Sequence, residues 1–377
     1  MSDSSRIFRK PTAPASLPST ETRNLTASHR AWIEVDLGAV ARNARALIAC
    51  ARKPLLPMVK ADAYGLGLFP IVRALEPLDP WGYGVATVVE GEQLRSSGIQ
   101  RPILITSPTT PTEFGRIIAS RLTPSHGDAA TIGAWVGAGG TDWHLAIDTG
   151  MHRAGVRWNE IASVADAVRK SPPTGAHTHF HSSELDNGTM QQQTQRFREA
   201  VAALPAAPAL LHTENSGAIV RTSPSPWSLV RPGVFLYGVG SGAKLQPEPV
   251  VQFFAQIVDI HDLNVGDSVS YDATWTATKS TRVATLSVGY ADGYRRSLGN
   301  VGSVLIGGRR AKIVGTVTMD MTMVDVTDIP CARGDLATMI GKDGNEQITT
   351  EDVATACGLS PYEILTGLNA RAPRVYR

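Results

Sequence analysis

Cysteine is scarce in this 377-residue chain: Cys50, Cys331 and Cys357 are the three, odd in number and widely separated. That excludes a disulfide scaffold and a CxxC zinc or redox site, and it suits a reducing cytoplasm. Long apolar runs are missing as well, since no segment approaches the roughly 18 consecutive residues of a membrane-spanning helix. Neither sign of charge dominates, with Lys+Arg at 36 and Asp+Glu at 34. This balance gives no reason to expect nucleic acid or a membrane as partner. No GxGxxG loop occurs, and the nearest approach, YGVGSG at 237–242, has the wrong spacing for a dinucleotide site.

What is present is a globular composition, 42% hydrophobic and 19% charged. A chain of this length buries a sizeable core without disulfide or metal staples, and it fits one large barrel plus a smaller domain. Residues 1–30, rich in Ser, Thr, Pro and Ala, read as a disordered tail. Its Arg6, Arg9, Lys10, Arg23 and Arg30 leave organelle targeting open beside the cytoplasmic reading, although Asp3 and Glu21 count against it.

Order begins at Ala31. AWIEVD has a strand pattern, and Asp36 caps a helix in which Leu37, Val40, Ala41, Ala44 and Leu47 recur at helical spacing. PLLPMV at 54–59 reads as a strand, 70–75 as a helix and 83–89 as a short strand. Further apolar runs follow at RPILIT, 145–147, 176–180 and PALLH. Strands alternating with helices imply parallel βα construction, and their number favours a (β/α)8 TIM-type barrel. After about residue 241, apolar patches such as RVATLSVGY and GSVLIGG are divided by NVGD, DG and GG turns, the texture of a mainly β domain. The expected architecture is α/β plus β: a barrel over 31–240 and a C-terminal β domain over 241–377. A late helix, EDVATACG, is expected to be capped by Thr350 and stopped near Gly358.

The most informative local feature is PMVKADAYGLG at 57–67. Lys60 follows an apolar strand, and Gly65 and Gly67 permit a tight turn at its end. A lysine placed there can form a Schiff base with an aldehyde cofactor such as pyridoxal phosphate, while the Tyr64 hydroxyl holds the phosphate. The same pattern also describes a solvated loop lysine.

VKADAYG resembles the cofactor-lysine motif of the alanine racemase family, pyridoxal-phosphate-dependent amino-acid racemases. IDTGMHRAG (147–155), THF (178–180), HTENSGA (212–218), VRPGVFLYG (230–238), VSYDATWT (269–276), VGYADGYRR (288–296) and VGTVTMDMTMVDV (314–326) follow in the family's order. The ending YEILTGLNARAPRVY completes the set, which covers nearly everything after the tail.

The resemblance implies a homodimer with shared active sites, acting on a small amino acid and using no metal. Lys60 would carry pyridoxal 5'-phosphate and act as one catalytic base. Tyr271, supplied by the partner subunit, would be the base on the opposite face. His179 would link that tyrosine to Arg231, which would donate to the pyridine nitrogen. Arg153 would meet the cofactor's phenolic oxygen and the substrate carboxylate. Met319 of the partner subunit would assist at that carboxylate through its backbone N–H, with Asp320 maintaining its loop, and Tyr290 would wall the entrance. Tyr64, Ser216 and the N–H groups of Gly233 and Val234 would hold the phosphate. The implied activity is interconversion of L- and D-alanine by two-base α-proton transfer. A broad or specialised racemase acting on serine is the alternative, with an amino-acid decarboxylase or a nonenzymatic cofactor-binding protein behind it.

The sequence departs from the family pattern at several positions. Ala146 stands where many members have a carbamylated lysine bracing the arginine at 153, and Leu66 replaces a histidine. Asp272 replaces a glycine after the catalytic tyrosine, His181 breaks the usual THFA pattern, and Ala370 replaces a phosphate-contacting tyrosine.

Overall fold

The computed structural model describes residues 29–377 except Ser223 and Lys244, so nearly all of the expected tail at 1–30 lies outside the described residues. Two compact units are present. One comprises Ile33–Gln252, Ala291–Tyr294 and Thr349–Arg377; the other comprises Phe253–Tyr290, Arg295–Ile348 and, of the described residues, 29–32. The linear boundary expected near residue 240 therefore divides the sequence but not the packing, because two later segments return to the first unit.

The first unit is built on parallel strands at Tyr83–Val85, Ile103–Pro108, Thr123–His126, His144–Asp148, Gly175–His177 and Leu210–His212, each paired with the next. The extended segment 55–59 joins the two ends of this ladder. On one side Leu56 and Met58 donate to the carbonyls of Val230 and Pro232; on the other Val59 donates to Gly84 and Gly84 to Pro57. Ser228 then donates to Leu211. The sheet thus curls into a barrel, whose strand residues Leu104, Leu145 and Ala176 are fully buried. The strand expected over 54–59 survives only as isolated bridges at Leu55 and Met58.

Helices cover this sheet where the sequence supplies caps. Asp36 accepts from Ala39 N at 2.7 Å to start Leu37–Ala51, whose Val40, Ala44 and Leu47 are fully buried. Thr87 and Glu90 form a capping box at Val88–Ser96, which ends the preceding strand at Val85, short of the expected 89. The late helix Thr350–Cys357 is capped by Thr349 rather than the expected Thr350, because Thr349 Oγ1 is the acceptor for Asp352 N at 3.0 Å. Its left-handed stop at Gly358 is as expected.

The second unit is antiparallel. Strand Val251–Leu263, which enters the unit at Phe253, pairs with Thr281–Leu286 and with Leu336–Asp343. Alternate residues Phe253, Ala255 and Ile257 are buried, as period-two patterning demands. Gly307 and Gly308, both at positive φ, make the two-residue turn between Ser303–Ile306 and Arg309–Lys312. Among the described residues no helix is long and apolar enough to cross a membrane.

Gly65 shows how closely the returning C-terminal segment packs. Its φ is +82°, and a Cβ there would lie 2.6 Å from the Leu365 carbonyl oxygen. Gly65→Ala is expected to destabilise the chain by about 2 kcal/mol, read as a lower urea midpoint and Tm. An unchanged Tm would contradict this packing.

Candidate active site

One cavity of about 730 Å³ opens within the first unit and gathers residues from separate strand ends and loops. Lys60, Tyr64, Arg153, His179, Ser216, Arg231, Gly233 and Val234 all line it. Tyr271, Tyr290 and Met319 do not. They belong to the second unit, where they are 69%, 40% and 52% exposed.

Lys60 begins an unusual turn. Ala61, Asp62, Ala63 and Tyr64 all have φ between 52° and 58°, a left-handed run costing L-residues roughly 1 kcal/mol or more each. Surrounding bonds hold it: Asp62 Oδ1 accepts from Leu68 N at 2.7 Å, and Arg374 donates through Nε and Nη2 to the Gly65 carbonyl at 3.1 and 2.8 Å. Glu90 Oε1 accepts from Ala61 N at 2.7 Å. Leu66, where the resemblance leads one to expect a histidine, is fully buried core. The Lys60 amine sits below the ordinary lysine range, first because of burial and then because of Arg153 and Arg231, with Glu90 opposing them.

Arg231 is buried in the cavity wall. Nη1 donates to the ring Nδ1 and the carbonyl of His212 at 2.7 and 2.6 Å; Nη2 donates to the carbonyls of Thr178 and Thr213 at 2.6 and 3.0 Å. These bonds use all four terminal N–H groups. Nε makes no hydrogen bond among the described residues, so the guanidinium keeps one donor for a ligand. Burial pushes Arg231 down to about 10, which still leaves it charged at neutral pH.

The link expected between His179 and Arg231 is not formed by a hydrogen bond here; Arg231 Nη1 is bonded to His212 instead. His179 lines the cavity with its carbonyl held by Gln193 Nε2 at 3.1 Å, and burial with Arg231, Arg153 and Lys60 pushes its ring down to about 3. Gln193 also donates to Thr149 Oγ1 and accepts from His181 N, each at 3.1 Å, so one buried amide ties the 149 and 179–181 loops together.

Sequence reasoning passed over His212, Gln193 and Glu90. His212 sat within HTENSGA, and histidines at 144, 177 and 212, each in an apolar strand, were the available signal. Since arginine can only donate, His212 Nδ1 must accept. Its proton then lies on Nε2 and is donated to His144 Nδ1 at 2.9 Å.

The donor set suits pyridoxal phosphate. Gly233 allows close approach, since a Cβ there would lie 2.5 Å from the Tyr64 hydroxyl. Burial pushes that hydroxyl well above its usual range, so it stays protonated as a donor. Ser216 Oγ accepts from Gly233 N at 2.9 Å and Phe235 N at 3.3 Å, which leaves the hydroxyl proton for a phosphate and shows the Gly233 N–H, expected in the cradle, engaged by Ser216 instead. Lys60 supplies the amine, and Arg231 Nε suits a ring nitrogen.

Arg153 makes no ion pair among the described residues. It lines a smaller cavity of about 220 Å³ together with Ala146, Ser125, His126 and Asp128. In the second unit Asp272 lies 3.8 Å from Arg296, which partly offsets its charge beside Tyr271.

The buried histidines make stability depend on pH. Burial lowers His126 to about 4 and His144 to about 3, and it places His177 and His212 well below the usual value. The unfolded chain binds protons at these sites below about pH 6.5 while the native state does not, so stability falls as pH drops through that window. Each site removes up to about 1.4 kcal/mol per pH unit. Urea unfolding at pH 7 and pH 5 is expected to show a loss of several kcal/mol with net proton uptake; equal stabilities would refute neutral burial.

Models of the alanine racemase N-terminal and C-terminal domains match residues 35–241 and 250–376. An alanine racemase of Nostoc sp. is 34% identical over 371 residues, covering 92% of this chain and 96% of the relative. One of Sorangium cellulosum is 36% identical, covering 91% and 98%. Among solved structures, alanine racemase from E. faecalis matches with a TM-score of 0.87 at 28% identity, over 93% of this chain and 99% of that one. The Bartonella henselae alanine racemase, with covalently bound pyridoxal phosphate, matches at 0.86 and 29%, over 93% and 100%. The chain therefore belongs to the alanine racemase family.

Proposed function

We propose that this chain catalyses the interconversion of L- and D-alanine with pyridoxal phosphate carried by Lys60. The observation that carries the reading is the convergence, in one cavity, of a lysine held below its ordinary range, a buried arginine with one free N–H, and the Tyr64–Ser216 cradle. When bound, the cofactor supplies an aldehyde for attachment and a ring that spreads the negative charge developing at the substrate α-carbon.

Lys60 has the character of a base, because burial and two neighbouring cations favour its neutral amine. Inversion needs a second proton carrier on the opposite face, and Tyr271 is that group. Its exposure, with that of Met319 and Tyr290, suits donation of all three by a second copy of the chain in a homodimer. Arg153 receives the substrate carboxylate. Arg231 remains charged and gives a hydrogen bond without giving up its proton, which limits how far the ring draws electrons and keeps the α-proton exchange short-lived. His179 positions Tyr271 as a neutral partner.

The test is chiral analysis of alanine incubated in deuterated water with the cofactor-loaded full chain, together with serine and carbon dioxide release. Inversion with deuterium at the α-carbon is expected for alanine; comparable turnover of serine would mark a broader racemase, and decarboxylation without inversion would overturn the reading. Lys60→Ala is expected to lose the visible absorbance of attached cofactor. Tyr271→Phe is expected to keep it and slow racemisation about 100-fold or more. Unchanged rates in both directions would reject the tyrosine base.

A further inference from the structure

We propose that Glu90 is a positioning residue for Lys60: its carboxylate pins the left-handed turn that begins at that lysine and supplies the negative charge that tunes the amine. The proposal rests on Lys60 as the cofactor-bearing residue.

Glu90 is the third residue of helix Val88–Ser96. A capping-box glutamate reaches back to the N–H of the capping residue, and Glu90 Oε2 does so, accepting from Thr87 N at 3.1 Å and from Ala86 N at 2.8 Å. Its other oxygen leaves the helix altogether and accepts from Ala61 N at 2.7 Å. One carboxylate thus joins the loop after strand Tyr83–Val85 to the residue that follows Lys60. Ala61 opens the run of four left-handed residues, where an N–H without an acceptor would add to the strain of the turn.

The charge acts in the same place. Lys60 is faced by Arg153 from the 149–155 loop and by Arg231 from the segment after Ser228, and both disfavour its protonated form. His179 is neutral at physiological pH and adds no cation. On Lys60's own turn, Asp62 is bound to Leu68 N and Tyr64 stays protonated. Of the other cavity carboxylates, Asp148 is bound to Gly150 N, His152 N and the His152 ring, and Glu184 acts on Tyr362. Glu90 is the carboxylate that favours protonation of Lys60, opposing burial and two arginines. A base must be neutral to accept a proton yet basic enough to remove one, and this opposition limits how far the arginines weaken it.

The test uses the full chain as wild type, Glu90→Gln and Glu90→Asp. The pH dependence of pyridoxal phosphate attachment is followed by visible absorbance, with Tm as a second readout. Because the neutral amine attacks, attachment rises with pH through a midpoint. Removing the charge in Glu90→Gln is expected to move that midpoint down by about half a pH unit or more. The acid limb of kcat/KM is expected to move the same way. Glu90→Asp keeps the charge and is expected to hold the midpoint near wild type, while both variants lose Tm through weakened hydrogen bonds. Equal midpoints in all three proteins, or equal shifts in Gln and Asp, would overturn the proposal. If Glu90→Gln does not fold, Glu90→Ala removes the charge in its place: a midpoint below wild type there, with Glu90→Asp undisplaced, supports the proposal, and a wild-type midpoint overturns it. Lys60→Ala serves as control: attachment that persists there removes the Lys60 reading itself, whereas attachment lost there with no Glu90 effect removes only this proposal.

Discussion

The site depends on a cation buried in the wall of a barrel. A guanidinium withdrawn from water costs several kcal/mol unless its N–H groups find acceptors. Arg231 finds four, three of them backbone carbonyls from the ends of neighbouring strands. Those carbonyls belong to Thr178, His212 and Thr213, so satisfying Arg231 fixes the mouths of two strands at once. The fourth acceptor is a histidine ring, and its use determines where protons lie on His212 and then on His144. Burial is the first cause that disfavours positive charge on His144, His177, His179, His212 and Lys60, and this cation adds to it at each of them.

Around that fixed charge the chain places a strained segment. Four consecutive left-handed residues are expensive, and the sequence surrounds them with acceptors and donors: Asp62 for Leu68, Glu90 for Ala61, Arg374 for Gly65. The result turns Lys60 and Tyr64 into one cavity although they lie four residues apart. Tyr64 also stacks on Tyr237, with ring centroids 4.6 Å apart, and Tyr237 in turn donates to the Met58 carbonyl. The Tyr64 end of the cavity and the extended segment that precedes Lys60 are therefore braced by the same aromatic pair.

The barrel, the β domain and one wall of the site were legible because each left a local mark. Alternation and turn residues announce strands, and VKADAYG, HTENSGA and VRPG mark positions that share the cavity. The second layer was less legible for physical reasons. A histidine within an apolar strand carries the same signal whether it fills core or holds an arginine, so His212 was passed over. Gln193 and Glu90 work through backbone groups distant in sequence, and no periodicity reports that. The segment 54–59 reads as an ordinary strand, yet its hydrogen bonds run to neighbours on both sides around Pro57, leaving only two bridges. The last 29 residues continue directly from the β domain in sequence, but Gly65 and Asp292 show their packing against the first unit: the Leu365 carbonyl meets Gly65, and Arg371 pairs with buried Asp292.

Arg231, buried and able only to donate, fixes the tautomer of His212. The most direct measurement is nitrogen NMR of the protein labelled with 15N-histidine at neutral pH, with His212 assigned by substitution. The expected spectrum shows neutral His212 with its proton on Nε2 and a bare Nδ1 accepting from Arg231. A protonated Nδ1, in a neutral or charged ring, would contradict it.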